Sequence, residues 1–472
     1  MAINREDMEH ARKVTSVEGF FMHSPFSIVT MVVRIKGDLS PEILKPTIEK
    51  IRQKHAMLRA RIKIDQNHTY WFTNEEVQEI PIEIFNRKSK DDWIEVHAEA
   101  AKIPFDFESR PAIRFILVHS PDESELIILC HHLICDGMSL AFLARDLMEH
   151  LGYPERAVET LPAPPAIDLD NLPSDISQSS LVKLLINRMN RQWAADRVFF
   201  DQEDYQILTE AYWDNYRHEL FPVELSEQET SGLVNRCRQE SVTVNSALAT
   251  AFCGAQSVIQ GKKPDQGKIM VAASLRDRIP SPVGEGMGMY AGGVSLKFKF
   301  DQKKTVWENA RRFHEVFQSN LTNKNLFGDL LNWLYLDPAI LEAMNFKKLG
   351  HLVPPGSPRY EKLSAFSKRE DVVLRILRRD NLDSLETRHW ETAVTNLGSL
   401  DFPKTYGALE LDRLIIQPGG GIPLVNVDLV LGAVTCAGKL SLIIEFVEQA
   451  VNRATMEKIK DKALNYLFSS HT

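Results

Sequence analysis

The segment ELIILCHHLICDGMSLAFLARDL, residues 125–147, combines three patterns that together predict how it folds. An apolar run rich in Ile and Leu ends at His131, which favours a buried strand. Asp136 and Gly137 then interrupt the apolar residues, as in a short loop. From Leu140 to Leu151 the apolar residues recur at helical spacing, which predicts an amphipathic helix. The segment is therefore expected to form a strand, a loop and a helix, with two histidines at the end of the strand.

The polar residues at this strand end are suited to acid–base chemistry. A side chain at the end of a strand is rigidly supported and can still face a cleft. An imidazole there can act as a general base near neutral pH because its ordinary pKa is about 6.5. Asp136 can pair with a cation and brace the loop. Gly137 suits a position where a side chain would clash or where φ is positive.

The composition is that of an ordinary globular protein. The 472 residues include 56 Lys and Arg against 64 Asp and Glu, so the net charge is −8. Hydrophobic residues make up 44% and charged residues 25%, which excludes collagen-like and disordered chains. The acidic balance argues against nucleic-acid binding, which usually requires a basic surface. The five cysteines are scattered without a C-x-x-C pair, so neither a zinc site nor a disulfide framework is expected.

The sequence also bears on location. No run of about 18 apolar residues occurs, so no transmembrane helix is expected. The first residues, MAINREDMEHARKV, carry charges of both signs and no apolar core, unlike a secretory signal. The predicted location is the cytoplasm.

Outside residues 125–147, periodicity predicts further strands and helices. Strands are expected at 28–35, 58–64, 111–119, 268–275, 294–300, 427–435 and 440–447, and helices at 181–193, 227–239, 244–259, 305–321 and 454–468. The proline-containing stretches 153–175 and 349–368 are expected to be irregular. A rough symmetry between the halves predicts two α/β subdomains: residues 1–175, which carry the two histidines, and residues 216–472. Residues 176–215 are then the linker or crossover.

The pattern HHxxxDG at residues 131–137 resembles the signature of the CoA-dependent acyltransferase superfamily. This superfamily includes chloramphenicol acetyltransferase, alcohol acetyltransferases, polyketide-associated acyltransferases and the condensation domains of nonribosomal peptide synthetases. Further blocks resemble the family in order and spacing over nearly the whole chain: HAMLR at 55–59, PFDF at 104–107, PAIRFILV at 111–118, SLRDR at 274–278, GMYAGGV at 288–294 and VTNLG at 394–398. The late DFGWG motif of the plant subfamily is absent, and the nearest region reads PGGGIP at 418–423, which disfavours a plant-type enzyme.

The resemblance implies a catalytic role for His132. It is expected to be the base that takes a proton from an acceptor alcohol or amine, which is a poor nucleophile until that proton is removed. Asp136 is expected to be structural and to pair with an arginine of the middle block. That partner is Arg276 or, as the second choice, Arg278.

The resemblance also implies supporting residues. His131 is expected to pack or to form hydrogen bonds, and Gly137 to fit a crowded position. Asn396 is a candidate hydrogen-bond donor to the tetrahedral oxyanion. The alternative for Asn396 is a turn residue that caps its own backbone.

For the whole chain, the resemblance implies an α/β fold of two chloramphenicol-acetyltransferase-like subdomains, with mixed β-sheets and flanking helices around a central tunnel. The expected activity is acyl transfer from an acyl thioester to a hydroxyl or amine acceptor. Acyl-CoA is the favoured donor over an acyl-carrier protein, because the chain is expected to be free-standing. No metal or other cofactor is implied, and the protein is expected to be a monomer.

Two alternatives stay open at this stage. One is a free-standing condensation enzyme that uses carrier-protein-bound substrates. The other is a catalytically silent relative that binds a partner or ligand.

Overall fold

The computed structural model describes residues 12–261, 267–379, 391–419 and 427–469. The strands are β1 (Arg12–Lys13), β2 (Ile28–Lys36), β3 (Arg61–Ile64), β4 (Tyr70–Thr73), β5 (Ile82–Asn86), β6 (Ile113–His119), β7 (Glu123–His131), β8 (His218–Glu224), β9 (Lys268–Ser274), β10 (Ala291–Lys297), β11 (Glu391–Leu400), β12 (Thr405–Tyr406), β13 (Leu409–Gln417), β14 (Val427–Cys436) and β15 (Lys439–Val447).

The helices are α1 (Ser16–Phe21), α2 (Leu44–Lys54), α3 (Asp92–Lys102), α4 (Gly137–Gly152), α5 (Ser180–Ala195), α6 (Gln202–Asn215), α7 (Glu227–Gln239), α8 (Val244–Ile259), α9 (Val306–Asn320), α10 (Asn323–Leu326), α11 (Gly328–Tyr335), α12 (Pro338–Leu349), α13 (Tyr360–Lys368), α14 (Val372–Arg379) and α15 (Arg453–Phe468). Short 3₁₀ turns lie at Pro41–Ile43, Ala56–Arg59 and Gly350–Leu352.

The first six-stranded sheet has the order β12-β13-β2-β7-β6-β5. Its centre is β2, whose residues 28–35 are all buried and largely β-branched, as expected of a strand covered on both faces. β2 pairs antiparallel with β7, so that Ile28 lies opposite His131. β5 and β6 pair in parallel, which makes the sheet mixed. The register places the end of β7 beside the start of β2.

The second six-stranded sheet has the order β10-β9-β11-β14-β15-β8. β11 runs parallel to both of its neighbours, and the other pairs are antiparallel. The buried helix α8 packs against β9 and β11 and between α9 and α15. Its Ala-rich sequence allows this close approach. A third, small sheet has the order β1-β4-β3.

The strand β13 comes from the C-terminal part of the chain but pairs with β2 of the first sheet. Within β13, the Asp412 carboxylate lies 2.6 Å from the Nζ atoms of both Lys36 and Lys439. Burial alone would raise the pKa of Asp412, but the two lysines outweigh it and lower the pKa to about 2. β13 also contacts β14 of the second sheet, where a Cβ atom at Gly432 would overlap the carbonyl oxygen of Ile416. The two sheets therefore meet along this strand.

The stretch predicted to be a linker, residues 176–215, contains the helices α5 and α6. Their buried residues, including Trp193 and Tyr212, join one apolar cluster with α12, α13 and α14. The prediction that residues 349–368 are irregular is wrong at Tyr360–Lys368, which form α13.

The predicted mixed α/β class, with two mixed sheets and flanking helices, is confirmed. The two sheets do not coincide with the predicted subdomains 1–175 and 216–472. β12 and β13 lie in the second of these segments of the chain but belong to the first sheet. The division into two subdomains stays a prediction.

Within the four described ranges, no single helix is both long enough and apolar enough to span a membrane. The pair α7 and α8 passes the length and composition criteria only when taken together, and it is bent by 94° at its break.

Candidate active site

The end of β7 holds His131 in a fully buried position. Its Nε2 lies 3.1 Å from the carbonyl oxygen of Ser24, so Nε2 carries the proton and donates it. Its Nδ1 accepts the backbone N–H of Leu133 at 3.2 Å. Burial lowers the pKa of His131 to about 3, which keeps the ring neutral. Because both ring nitrogens are committed to the backbone, His131 is suited to positioning the loop rather than to proton transfer.

His132 is arranged differently, because only one of its ring nitrogens is bound to the backbone and the other is available for proton transfer. Its Nδ1 lies 3.0 Å from the carbonyl oxygen of Cys135, which can only accept, so Nδ1 carries the proton. The other nitrogen, Nε2, then has its lone pair available. Phe21 stacks on the imidazole with ring centroids 4.7 Å apart and fixes the plane of the ring.

The surroundings of His132 favour the neutral form. Burial lowers the pKa of His132 from its ordinary value, while the Cys135 carbonyl and the charge of Asp136 oppose that shift. A neutral imidazole with a fixed tautomer can accept a proton at Nε2 near pH 7.

Asp136 begins the helix α4 as its N-cap residue. Its Oδ1 accepts the backbone N–H of Ser139 at 2.7 Å and the Ser139 hydroxyl at 2.7 Å. The backbone N–H of Asp136 in turn donates to the Ser139 hydroxyl, which completes a capping box. Oδ2 accepts the backbone N–H of Tyr290 from the C-terminal half. The carboxylate therefore fixes both the start of α4 and its contact with the segment that precedes β10.

Arg276 follows β9 and forms a buried ion pair with Asp136, at 2.8 Å between Nη2 and Oδ1. The same Nη2 donates to the Ser139 hydroxyl, and Nη1 donates to the carbonyl oxygens of Gly284 and Gly286. Arg278, the second candidate for this pairing, bonds to Asn323 instead. The structure thus joins Asp136 to Arg276 across 140 residues of sequence.

Gly137 is the first residue of α4 and lies against the second sheet. A Cβ atom at Gly137 would lie 2.8 Å from Cδ2 of Leu397, whereas φ at this glycine is not positive. Of the two reasons considered for a glycine here, crowding is the one the structure shows.

Asn396 lies on β11 beside Leu397, at an irregularity in the pairing of β11 with β14. Its Oδ1 accepts the backbone N–H of Gly398 at 2.8 Å, and Gly398 has a φ of +77°. This is the local turn interaction of the alternative interpretation. The role of Asn396 toward a substrate stays a prediction.

Sequence reasoning missed two residues at this site, Ser139 and Phe21. Ser139 has a local signal, because a serine three residues after an N-cap aspartate is the spacing of a capping box. Phe21 has no such signal, since its contact with His132 depends on how α1 packs. Among the described residues, no group of three His, Cys, Asp or Glu side chains could hold a metal ion.

Parts of this chain are similar to nonribosomal peptide synthetases. Residues 13–166 match the family described as the condensation domain. The dimodular nonribosomal peptide synthase of Bacillus subtilis (strain 168) is 30% identical over 134 residues, which are 27% of this chain and 6% of the synthase. One of the plipastatin synthase proteins of the same organism is 24% identical over 293 residues, 56% of this chain and 10% of that protein. The matched segments are therefore small parts of these relatives.

Solved structures of similar fold align with nearly the full length of the chain. TRI3 trichothecene 15-O-acetyltransferase from Fusarium sporotrichioides gives a TM-score of 0.64 at 12% identity, covering 99% of this chain and 96% of that one. The first condensation domain of the CDA synthetase gives a TM-score of 0.59 at 12% identity, covering 98% of this chain and 97% of that one.

Proposed function

We propose that this chain transfers an acyl group from an acyl thioester to a hydroxyl or amine acceptor. The similarity of residues 13–166 to the condensation domain and the shared fold support this proposal. The observation that supports this proposal is the state of His132. Its Nδ1 is bound to the Cys135 carbonyl and its Nε2 is the available base.

The reaction follows from that geometry. Nε2 of His132 takes the proton of the acceptor O–H or N–H as the acceptor attacks the thioester carbonyl carbon. The C–S bond of the tetrahedral intermediate then breaks, and the leaving thiolate takes a proton from the imidazolium. The products are an ester or an amide and a free thiol. The base is neutral again at the end of the cycle.

Asp136 and Arg276 act as positioning residues in this proposal. Their ion pair fixes Asp136 at the start of α4, and the residue directly before Asp136 is Cys135, whose carbonyl oxygen accepts from Nδ1 of His132. The Cys135 carbonyl in turn selects the tautomer of His132. Loss of either charge should therefore lower the rate of acyl transfer, because the imidazole of His132 would no longer be held in its orientation.

Acyl-CoA is the favoured donor in this proposal. A carrier-protein-bound donor is the second candidate, supported by the similarity of residues 13–166 to the condensation domain. A catalytically silent relative is the third. The cytoplasmic location, the monomeric state and a tunnel leading to His132 stay predictions.

The test is thiol release by the full chain from a panel of acyl-CoAs with mixed alcohols and amines. The variants His132→Ala and His351→Ala are compared, because His351 is an exposed histidine in a 3₁₀ turn and serves as the matched control. We expect acceptor-dependent release that is lost in His132→Ala and kept in His351→Ala. Release from carrier-bound thioesters alone would favour the second candidate. No release from either donor by the folded protein would overturn the proposal in favour of a silent relative.

A further inference from the structure

A cleft of about 1070 Å³ lies between α3, the start of β8 and the ends of β13 and β15. The residues that line it do not include His132. The lining combines aromatic side chains with buried polar groups. Those that carry the argument are Phe26, Trp213, Tyr216, Gln417 and Glu445.

Glu445 supplies a buried carboxylate with one oxygen unused. The residue is 1% exposed. Its Oε1 accepts from Nδ1 of His218 at 3.0 Å, and Nε2 of His218 is in turn bonded to the hydroxyl of Tyr212 at 2.6 Å. Oε2 has no hydrogen-bond partner among the described residues. An oxygen that is buried and unpaired costs free energy, and a ligand that donates a hydrogen bond to Oε2 would remove that cost.

Gln417 supplies a second buried acceptor at the end of β13. The residue is 8% exposed, and its Oε1 has no hydrogen-bond partner in the described ranges. It lies close to His97, whose Nε2 is bonded to the hydroxyl of Thr30 at 3.0 Å. Glu445 therefore presents an unpaired oxygen acceptor to the cleft, and Gln417 presents a second oxygen that faces the ring of His97 and has a further lone pair available.

The aromatic lining and the charges at the rim favour a cation. Phe26, Trp213 and Tyr216 line the cleft, and the faces of aromatic rings attract ammonium groups. Negative charge is in excess in the lining, because three basic side chains (Lys102, Arg217 and Arg453) stand against six carboxylates (Asp91, Glu95, Glu99, Asp214, Glu219 and Glu445).

From this arrangement we propose that the cleft binds a small molecule in which a primary ammonium group is carried on an apolar body. The ammonium supplies three N–H donors and a positive charge, which match the carboxylate of Glu445 and the amide oxygen of Gln417. The apolar body packs on the aromatic wall. This site goes beyond the proposed acyl transfer and does not depend on it.

The test is calorimetric titration of the full chain with butylamine and phenethylamine. The controls are the alcohols of the same carbon skeleton and the trimethylated ammonium of phenethylamine. We expect at least one primary amine to bind about tenfold more tightly than its alcohol, and phenethylamine to bind more tightly than its trimethylated form. Glu445→Gln should weaken amine binding about tenfold or more, because a hydrogen bond to a charged group is lost. Glu99→Gln, at an exposed rim residue, should change it less than about twofold.

A second variant keeps the test decisive if Glu445→Gln fails to fold. Gln417→Leu removes the other acceptor and leaves the His218–Glu445 hydrogen bond intact, and it should also weaken amine binding. His132→Ala should bind the amine like the parent chain, so that a failure of the catalytic proposal is distinguishable from a failure here. No binding of either amine at millimolar concentration, or equal binding of amine and alcohol, would overturn the proposal.

Discussion

The ion pair between Asp136 and Arg276 allows a quantitative prediction about stability. Both side chains are almost completely buried, with 5% and 7% of their surface exposed. In Arg276→Met the carboxylate stays buried with its hydrogen bonds to Ser139 and Tyr290 but without a counter-charge. Breaking a buried pair in this way costs about 3–5 kcal/mol. That is a large share of the roughly 5–15 kcal/mol by which a folded protein is stable.

The assay is equilibrium urea unfolding, followed by tryptophan fluorescence and by circular dichroism, with coincident transitions as the condition for quoting a free energy. Arg278→Met is the matched control, because the Arg278 side chain donates to the amide oxygen of Asn323, and its loss should cost about 1 kcal/mol or less. Adding Asp136→Asn to Arg276→Met should recover part of the loss, since the remaining side chain no longer carries an unpaired charge. Equal costs for Arg276→Met and Arg278→Met would refute the reasoning.

Three further predictions concern pH and packing. If His132 is the base, kcat/KM for thiol release should rise with increasing pH to a plateau, and the midpoint of the rise should lie below pH 6.5 because burial lowers the pKa of His132. A midpoint at or above pH 6.5 would contradict this. Asp412→Asn should lower the free energy of unfolding at pH 7 by about 2 kcal/mol. This value follows from the pKa of Asp412, which folding lowers from 3.8 to about 2. That difference should be fully present above about pH 4 and disappear as the pH falls toward 2, which urea unfolding at several pH values would show. Gly432→Ala should lower the melting temperature sharply because its Cβ overlaps the Ile416 carbonyl, whereas Gly232→Ala, in open space on α7, should not; equal shifts in the two would rule out the overlap as the cause.

Much of the fold could be predicted where the signals are local. α7 and α8 have the predicted bounds, because Ser226 and Thr243 cap their first turns and apolar residues repeat at helical spacing. β10 was predicted three residues too late, since Gly292 and Gly293 are typical of a turn. Pro358 is typical of a loop, yet the helix α13 begins two residues later.

Other elements depend on contacts that sequence spacing does not reveal. β13 contains the buried charges of Asp412 and Arg413, which interrupt the apolar pattern of a strand. Their partners, Lys36 and Lys439 for Asp412 and Glu224 for Arg413, come from other elements of the fold. The same holds at the site. The strand, loop and helix around His132 could be predicted locally, and the family resemblance gave Arg276 as the first choice of partner for Asp136. Spacing alone could not exclude Arg278, because that depends on the three-dimensional path of the chain after β9.

The placement of β13 beside β2 has a consequence for biosynthesis. On the ribosome, residues 28–131 emerge long before residue 409, so the outer edge of β2 stays unpaired until β13 has been synthesised. During that time it presents a row of unpaired backbone N–H and C=O groups along an apolar strand, which is a template for aggregation. A fragment that stops after α4 would keep this edge open permanently. We therefore expect such a fragment to aggregate, and the first sheet to reach its native form only after the C-terminal half has been made.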